Sequence, residues 1–165
     1  MRGPKLAEVL NALSGAAREA LKRRNPHLDR EFSLAEEPDP TIYASAVEAE
    51  DGSVVVTIDG MRLVSELNAR EHWSVRQRRV RRQKRILLGA LAAVRQPKGK
   101  HWEVTIERVG VRNLDDDNLA GSAKHLRDAV AEWLGTGDAI TDPVTWRVAQ
   151  TLAQKYGCTI TIRAC

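Results

Sequence analysis

Cysteine and long apolar runs are both scarce in this chain, and each scarcity excludes a class of protein. The two cysteines, Cys158 and Cys165, lie near the end of the 165-residue sequence. A disulfide framework is therefore not expected, and without a nearby histidine the pair does not form a zinc site. No apolar run approaches the roughly 20 residues of a membrane-spanning helix. Polar residues interrupt the first segment, so we expect no signal peptide and a cytoplasmic protein.

Several enzyme signatures are also missing. The sequence has no glycine-rich phosphate-binding loop, no dinucleotide-binding fingerprint and no Ser/His/Asp arrangement. A nucleotide cofactor is therefore not expected. The hydrophobic fraction of 42% and the charged fraction of 29% are typical of a globular protein, and the length favours one domain with its own core.

Positive charge is concentrated in one segment of the chain. Lys and Arg number 26 against 22 Asp and Glu, but residues 70–100 alone hold eleven Lys or Arg and one acidic residue. Such a distribution predicts a surface that binds a polyanion, although a solvated basic helix is the alternative. Phosphate contacts give affinity with little sequence information. The predicted DNA-binding residues are Asn68, Arg70, Arg78, Arg79, Arg81, Arg82, Lys84 and Arg85.

Hydrophobic periodicity predicts an α+β fold with a small mixed or antiparallel sheet and packed helices. Residues 1–40 are predicted to form a helix and linker extension, and residues 41–165 a separate domain. Within that domain we expect a hairpin around Asp51-Gly52 and a final hairpin around Lys155-Tyr156-Gly157. The predicted elements are helix 5–24, strands 41–50 and 53–59, helix 73–94, a strand from 102, helix 118–134 with Asp117 or Asn118 as N-cap, and strands 144–152 and 158–164.

Three consecutive carboxylates, Asp115 to Asp117, stand where the predicted strand ends and the next helix begins. Crowded like charges cost free energy unless a cation offsets them. In an extended segment Asp115 and Asp117 would point to the same side and could hold Mg²⁺ through oxygen ligands. A carboxylate from the loop at 138–142 could complete the site, and Lys124, about two helical turns after Asp117, could contact a phosphate. Acidic residues before a helix are also common simply as N-terminal caps.

The combined pattern resembles the RusA family of Holliday junction resolvases, endodeoxyribonucleases carried by phages and prophages. That family shows a strand, then Asp-x-Asp-Asn-Leu, a lysine, and an Asp-Ala-hydrophobic step four residues after the lysine. The matching residues here are Asp115-Asp116-Asp117-Asn118-Leu119, Lys124 and Asp128-Ala129-Val130. A loop with Asp138 and Asp142 and a closing hairpin follow, as in the family. Upstream, Ser65-Glu66-Leu67-Asn68 is similar to the family's Ser-x-Asn-like loop before a basic helix.

The resemblance covers roughly residues 53–164 and implies a RusA-like, metal-dependent endonuclease that resolves four-way DNA junctions by paired nicks. It implies Asp115, Asp117 and Asp142 as ligands of Mg²⁺, with Mn²⁺ as a substitute, and Lys124 as a catalytic residue. Asp138 is the alternative third ligand. We expect a homodimer, because a four-way junction has near two-fold symmetry and a C₂ dimer presents two matched sites. The alternatives are a non-catalytic DNA-binding protein, or a related nuclease that acts on flaps, forks or RNA.

Overall fold

A computed structural model describes residues 41–65, 72–136 and 143–165 of the chain. The described part is an α+β domain with one five-stranded mixed sheet and two helices, as the hydrophobic pattern predicts. The predicted helix 5–24, like the rest of the predicted extension at 1–40, lies outside these ranges. The elements are β1 (Tyr43–Glu48), β2 (Val54–Asp59), α1 (Trp73–Leu91), β3 (Trp102–Gly110), α2 (Asp116–Leu134), β4 (Val144–Leu152) and β5 (Gly157–Ala164).

The predicted hairpin around Asp51-Gly52 is confirmed. β1 and β2 pair antiparallel from Tyr43 opposite Asp59 to Glu48 opposite Val54. Gly52 has a φ of 76°, a left-handed conformation that glycine adopts without steric cost. The backbone N–H of Ser53 donates to Asp51 Oδ1 at 3.0 Å, which closes the turn through a side chain.

The predicted final hairpin is wrong. The strand order is β1-β2-β5-β3-β4, so β3 lies between β4 and β5. β3 pairs antiparallel with β5 and parallel with β4, with α2 as the crossover between the two parallel strands. The short connection from β4 to β5 passes the end of β3, where the Ala153 N–H donates to the Gly110 carbonyl at 3.0 Å. A turn signal between two strands does not reveal that a third strand separates them.

The hydrophobic core lies on one face of the sheet. Alternate residues of β2, β3 and β5 are buried there, and Leu87, Leu91, Leu126 and Val130 of the two helices complete the same cluster. The opposite face of β3 carries partly exposed polar side chains. Among the described ranges, neither helix is long and apolar enough to cross a membrane.

The apolar side chains of α1 are only partly buried. Leu87 and Leu91 are buried, but Val80, Leu88 and Val94 are partly exposed, and the helix ends at Leu91. The third buried residue of α1 is polar. It is Gln83, whose side-chain amide donates to the Arg62 carbonyl at 3.2 Å and so ties the helix to the segment after β2.

Candidate functional site

The acidic segment begins α2 two residues earlier than the sequence pattern predicts. Asp115 is the N-cap, with extended backbone angles (φ −68°, ψ 167°), and its Oδ1 accepts the Asn118 backbone N–H at 2.9 Å. The predicted caps, Asp117 and Asn118, are both inside the helix. A carboxylate at the N-cap satisfies an N–H that has no partner within the helix, so the first aspartate of the run takes this position.

The expected extended arrangement of Asp115 and Asp117 is therefore wrong. Only Asp115 has extended backbone angles, whereas Asp116 and Asp117 form the first helical turn. All three are exposed residues at the N-terminal end of α2. Their proximity comes from the start of the helix, where backbone N–H groups and the helix dipole stabilise negative charge.

Asn118 fixes the orientation of the Asp115 carboxylate. Its side-chain Nδ2 donates to Oδ1 at 2.9 Å and to Oδ2 at 2.8 Å. The hydrogen bonds from the Asn118 backbone and side chain lower the pKa of Asp115 from its ordinary value. Asp115 is therefore an ionised carboxylate at neutral pH with a defined orientation.

A second segment reaches the same asparagine. The hydroxyl of Ser65, a buried residue in the stretch after β2, donates to Asn118 Oδ1 across 53 positions of sequence. The structure thus joins the Ser65 segment to the Asp115–Asn118 motif. The remaining residues predicted for that segment, Asn68 and Arg70, lie outside the described ranges.

Gln150 of β4 positions the chain just before Asp115. Its Oε1 accepts the Leu114 N–H at 2.9 Å, and its Nε2 donates to the Leu114 carbonyl at 2.7 Å. The side-chain amide therefore pairs with Leu114 as a neighbouring strand would. Sequence reasoning missed Gln150, because a single glutamine 36 positions from its partner carries no local signal.

Lys124 lies on the α2 face that also carries Asp117 and Asp128. Asp117 and Lys124 are seven residues apart, about two helical turns. Lys124 is largely exposed, and its Nζ is 3.6 Å from Asp128 Oδ1, an i,i+4 ion pair within the helix. Asp128 is also 3.8 Å from Lys84 of α1 and from Nδ1 of His125. Lys84, predicted as a DNA contact, thus also links the two helices.

The basic side chains of α1 differ in their exposure. Arg78, Arg81 and Arg85 are exposed, whereas Arg79, Arg82 and Lys84 are partly buried. His72 caps the helix, with its Nδ1 3.4 Å from the Ser74 backbone N–H. The exposed arginines are therefore the members of the predicted set whose surfaces are most accessible to a phosphate backbone.

A cavity of about 340 Å³ adjoins the motif. Ser65 and Asn118 form part of its wall, together with three arginines, Arg62, Arg108 and Arg112. None of these arginines was a sequence-based candidate. Arg108 follows Val104 and Ile106 on the buried face of β3. A charged residue at a position where the alternation predicts an apolar one is a signal that could have identified it.

Within residues 41–65, 72–136 and 143–165, no three His, Cys, Asp or Glu side chains are grouped so as to hold a metal ion. The predicted third ligand, Asp142, and its alternative, Asp138, lie between the described ranges. Asp115 and Asp117 are thus the predicted ligands whose surroundings are known. No family model matches the chain, and no curated protein matches it.

Proposed function

We propose that this protein is a RusA-like, metal-dependent endodeoxyribonuclease that resolves four-way DNA junctions by paired symmetric nicks. The observation that carries the proposal is the chain of hydrogen bonds from Ser65 through Asn118 to Asp115. Two segments resemble the family independently, one on each side of the basic helix, and these hydrogen bonds bring them together. A motif that served only to start a helix would not require the Ser65 segment.

The exposed carboxylates suit a hard divalent cation. Asp115 and Asp117 offer oxygen atoms, the donors that Mg²⁺ and Mn²⁺ prefer, and in this proposal Asp142 is the third ligand, with Asp138 as the alternative. When bound, the metal supplies a positive charge that stabilises the attacked phosphate and activates a water. Asn118 keeps Asp115 oriented and ionised for this role.

Lys124 supplies a second positive charge on the same side of α2. Its side chain is 60% exposed, so its pairing with Asp128 leaves it accessible to a DNA phosphate. A cation at that position stabilises charge that develops on the phosphate during cleavage. The arginines of α1 bind the duplex arms, and a C₂ homodimer places two such sites on one junction in the cytoplasm of a bacterial or phage-infected cell.

One observation favours a second candidate, a non-catalytic DNA-binding protein. Asp115 caps α2, so at least one carboxylate of the run has a structural role that needs no metal. Asp117 does not form the cap, although the helix dipole favours a carboxylate in the first turn, where it lies. The activity of an Asp117 variant therefore distinguishes the two functions.

The experiment is cleavage of a synthetic four-way junction in Mg²⁺ by wild type, Asp117→Asn and Asp116→Asn. The two variants remove the same charge from the same helical turn, but only Asp117 belongs to the Asp-x-Asp pattern. We expect paired symmetric nicks with wild type and Asp116→Asn, and their loss with Asp117→Asn while junction binding persists. The third predicted ligand is tested in the same assay by Asp142→Asn beside Asp138→Asn.

Three results would contradict the proposal in whole or in part. Wild-type protein that binds the junction without cutting it in either Mg²⁺ or Mn²⁺ would identify a non-catalytic binder. Equal activity of the Asp116 and Asp117 variants would remove the motif from the chemistry. Faster cutting of flaps, forks or RNA in a substrate panel would keep the nuclease and change its substrate.

A further inference from the structure

Arg108 is a buried cation at a position where the sheet is otherwise apolar. It follows Val104 and Ile106 on the inward face of β3 and is only 4% exposed. Its Nη1 donates to the Arg112 carbonyl at 2.9 Å, while its Nε has no hydrogen-bond partner among the described residues. Buried charges are ordinarily paired, so a guanidinium whose one hydrogen-bond partner among the described residues is a carbonyl has capacity left to bind an anion.

Among the described residues, the surroundings of Arg108 add positive charge and no compensating negative charge. Arg62 and Arg112 line the same cavity, and none of the described residues that line it carries a carboxylate. Burial is the largest influence on Arg108 and lowers its pKa; Tyr156 opposes this, and the like charge of Arg62 lowers the pKa further. Arginine nevertheless remains protonated, so the cavity wall keeps its charge.

The backbone beside Arg108 is shaped to accommodate its guanidinium. A Cβ atom at Gly110 would lie 2.6 Å from Nη2 and 2.8 Å from Cζ of Arg108. Gly110 is two residues after Arg108 on the same face of β3, and its lack of a side chain lets the guanidinium lie against the strand. Arg62, which lines the same cavity, has its Cζ 5.3 Å from the centre of the Tyr156 ring, a cation–π geometry that orients its planar fork.

The cavity is larger than a single inorganic anion requires. Its volume of about 340 Å³ is at the lower end of the range for small-molecule sites. Apolar side chains, including Leu63 and Leu114, share the wall with the arginines. Asn118 belongs to the wall and binds Asp115 directly, so the cavity adjoins the proposed cutting site.

We infer that this cavity binds one nucleotide of the DNA strand next to the cut, with its phosphate held by Arg108 and Arg62. The forked guanidinium groups suit phosphate oxygens, and the apolar wall suits the rest of the nucleotide. The assignment to a DNA strand rests on the proposed nuclease function. The phosphate site itself rests only on the arginines and the cavity.

The test uses the intact chain in EDTA, so that binding is measured without cutting. Thymidine 5′-monophosphate, thymidine and the dinucleotide TpT are titrated while NMR follows the arginine Nε–H signals. We expect the monophosphate and TpT to shift the Arg108 signal, and thymidine to bind about tenfold more weakly or worse, since a hydrogen bond to a charged group contributes affinity of that order.

Arg62 is exposed, so its substitution leaves the hydrophobic core intact. Arg62→Gln is expected to weaken monophosphate binding about tenfold. The matched control Arg163→Gln removes the same charge at the opposite end of the sheet and is expected to change it by no more than about twofold. Two further variants should also weaken monophosphate binding. Gly110→Ala displaces the Arg108 guanidinium, and Arg108→Lys keeps the positive charge but removes the forked donor group.

Equal binding of thymidine and its monophosphate, or equal effects of Arg62→Gln and Arg163→Gln, would overturn the phosphate site. Binding of the monophosphate without TpT would overturn the strand assignment in favour of a free nucleotide. The two proposals fail separately. If the protein binds the monophosphate through Arg62 but cuts no junction, the nuclease function is refuted and the phosphate site stands. If it cuts junctions but does not bind the monophosphate, the phosphate site is refuted and the nuclease function stands.

Discussion

The side chain of Gln150 pairs with both backbone groups of Leu114, the residue before the Asp115 N-cap. Its two hydrogen bonds, of 2.9 and 2.7 Å, attach the chain after β3 to the edge strand β4. The start of α2 is thereby fixed from outside the helix. Any function of the acidic segment depends on this attachment as well as on the carboxylates themselves.

Gln150→Leu should reduce the free energy of unfolding by about 1–2 kcal/mol, because two partly buried backbone groups lose their partners. Urea denaturation measures this loss. Junction cutting should also slow, with a lower kcat and little change in junction affinity, since the acidic segment is displaced and α1 is not. Gln154→Leu, in the connection after β4, is the matched control and should leave both quantities unchanged. A Gln150 variant as stable and as active as that control would refute the positioning role.

Replacing Arg78 and Arg81 with glutamine should weaken junction binding and reduce its dependence on salt. Both residues are exposed on α1. For every arginine that binds a phosphate, its removal should lower the slope of log affinity against log salt concentration by about 1. Fluorescence anisotropy over a series of salt concentrations measures the slope. The double variant Arg147→Gln and Arg163→Gln, on β4 and β5, removes the same charge, and an equal change of slope there would show that α1 has no special part.

Asp51 should make the stability of the folded protein depend on pH in the acid range. Its side chain accepts hydrogen bonds from the Ser53 hydroxyl and N–H, which lower its pKa in the folded protein. Because the folded pKa lies below the ordinary value of 3.8, the stabilisation is complete above that value and is lost as the pH falls through the folded pKa.

Asp51→Asn should therefore have a lower Tm than wild type at neutral pH, and the difference should close as the pH falls below about 4. Thermal unfolding at a series of pH values measures it. Glu50→Gln removes one charge from the same turn without touching the Ser53 bonds, so its difference from wild type should be smaller. Parallel pH curves for wild type and Asp51→Asn would exclude the expected linkage.

The two cysteines should differ sharply in reactivity. Burial raises the pKa of Cys158 to about 12, so its thiol stays protonated at neutral pH, whereas Cys165 is exposed. A thiol reagent such as DTNB should label one cysteine in the native protein and both after unfolding, because the thiolate is the reactive form. Cys165→Ser should abolish the native labelling. Rapid labelling of native Cys165→Ser would show that β5 opens readily.

The sequence could predict both helices and every described strand. Burial on one face leaves a clear pattern in β2, β3 and β5, whereas β1 is exposed along nearly its whole length and is identified with the help of the Asp51-Gly52 turn. The sequence could not predict the position of β4, since the parallel pairing with β3 depends on α2 as a crossover and leaves no trace in the connection to β5. It could not identify the N-cap of α2 either, because any of three adjacent aspartates fits the local pattern. Only the hydrogen bond with Asn118 distinguishes Asp115.

The residues of the candidate site also divide into those that the sequence could identify and those that it could not. Asp115, Asn118 and Lys124 could be identified because they belong to one continuous segment with recognisable spacing. Gln150 and Arg62 could not, since each reaches the motif from a distant part of the chain through folding alone. Arg108 is the intermediate case, because a charged residue in an apolar alternation is visible in the sequence while its purpose is not.

The position of β5 has a consequence for how the molecule is made. β5 is the last of the described strands in sequence but the middle strand of their sheet, and it pairs with both β2 and β3. During synthesis the β1–β2 and β3–β4 segments therefore emerge before the strand that unites them, and each pair, once formed, has an open hydrogen-bonding edge. Open edges recruit other strands, so nascent chains that stall before β5 should be prone to aggregation and in need of chaperones.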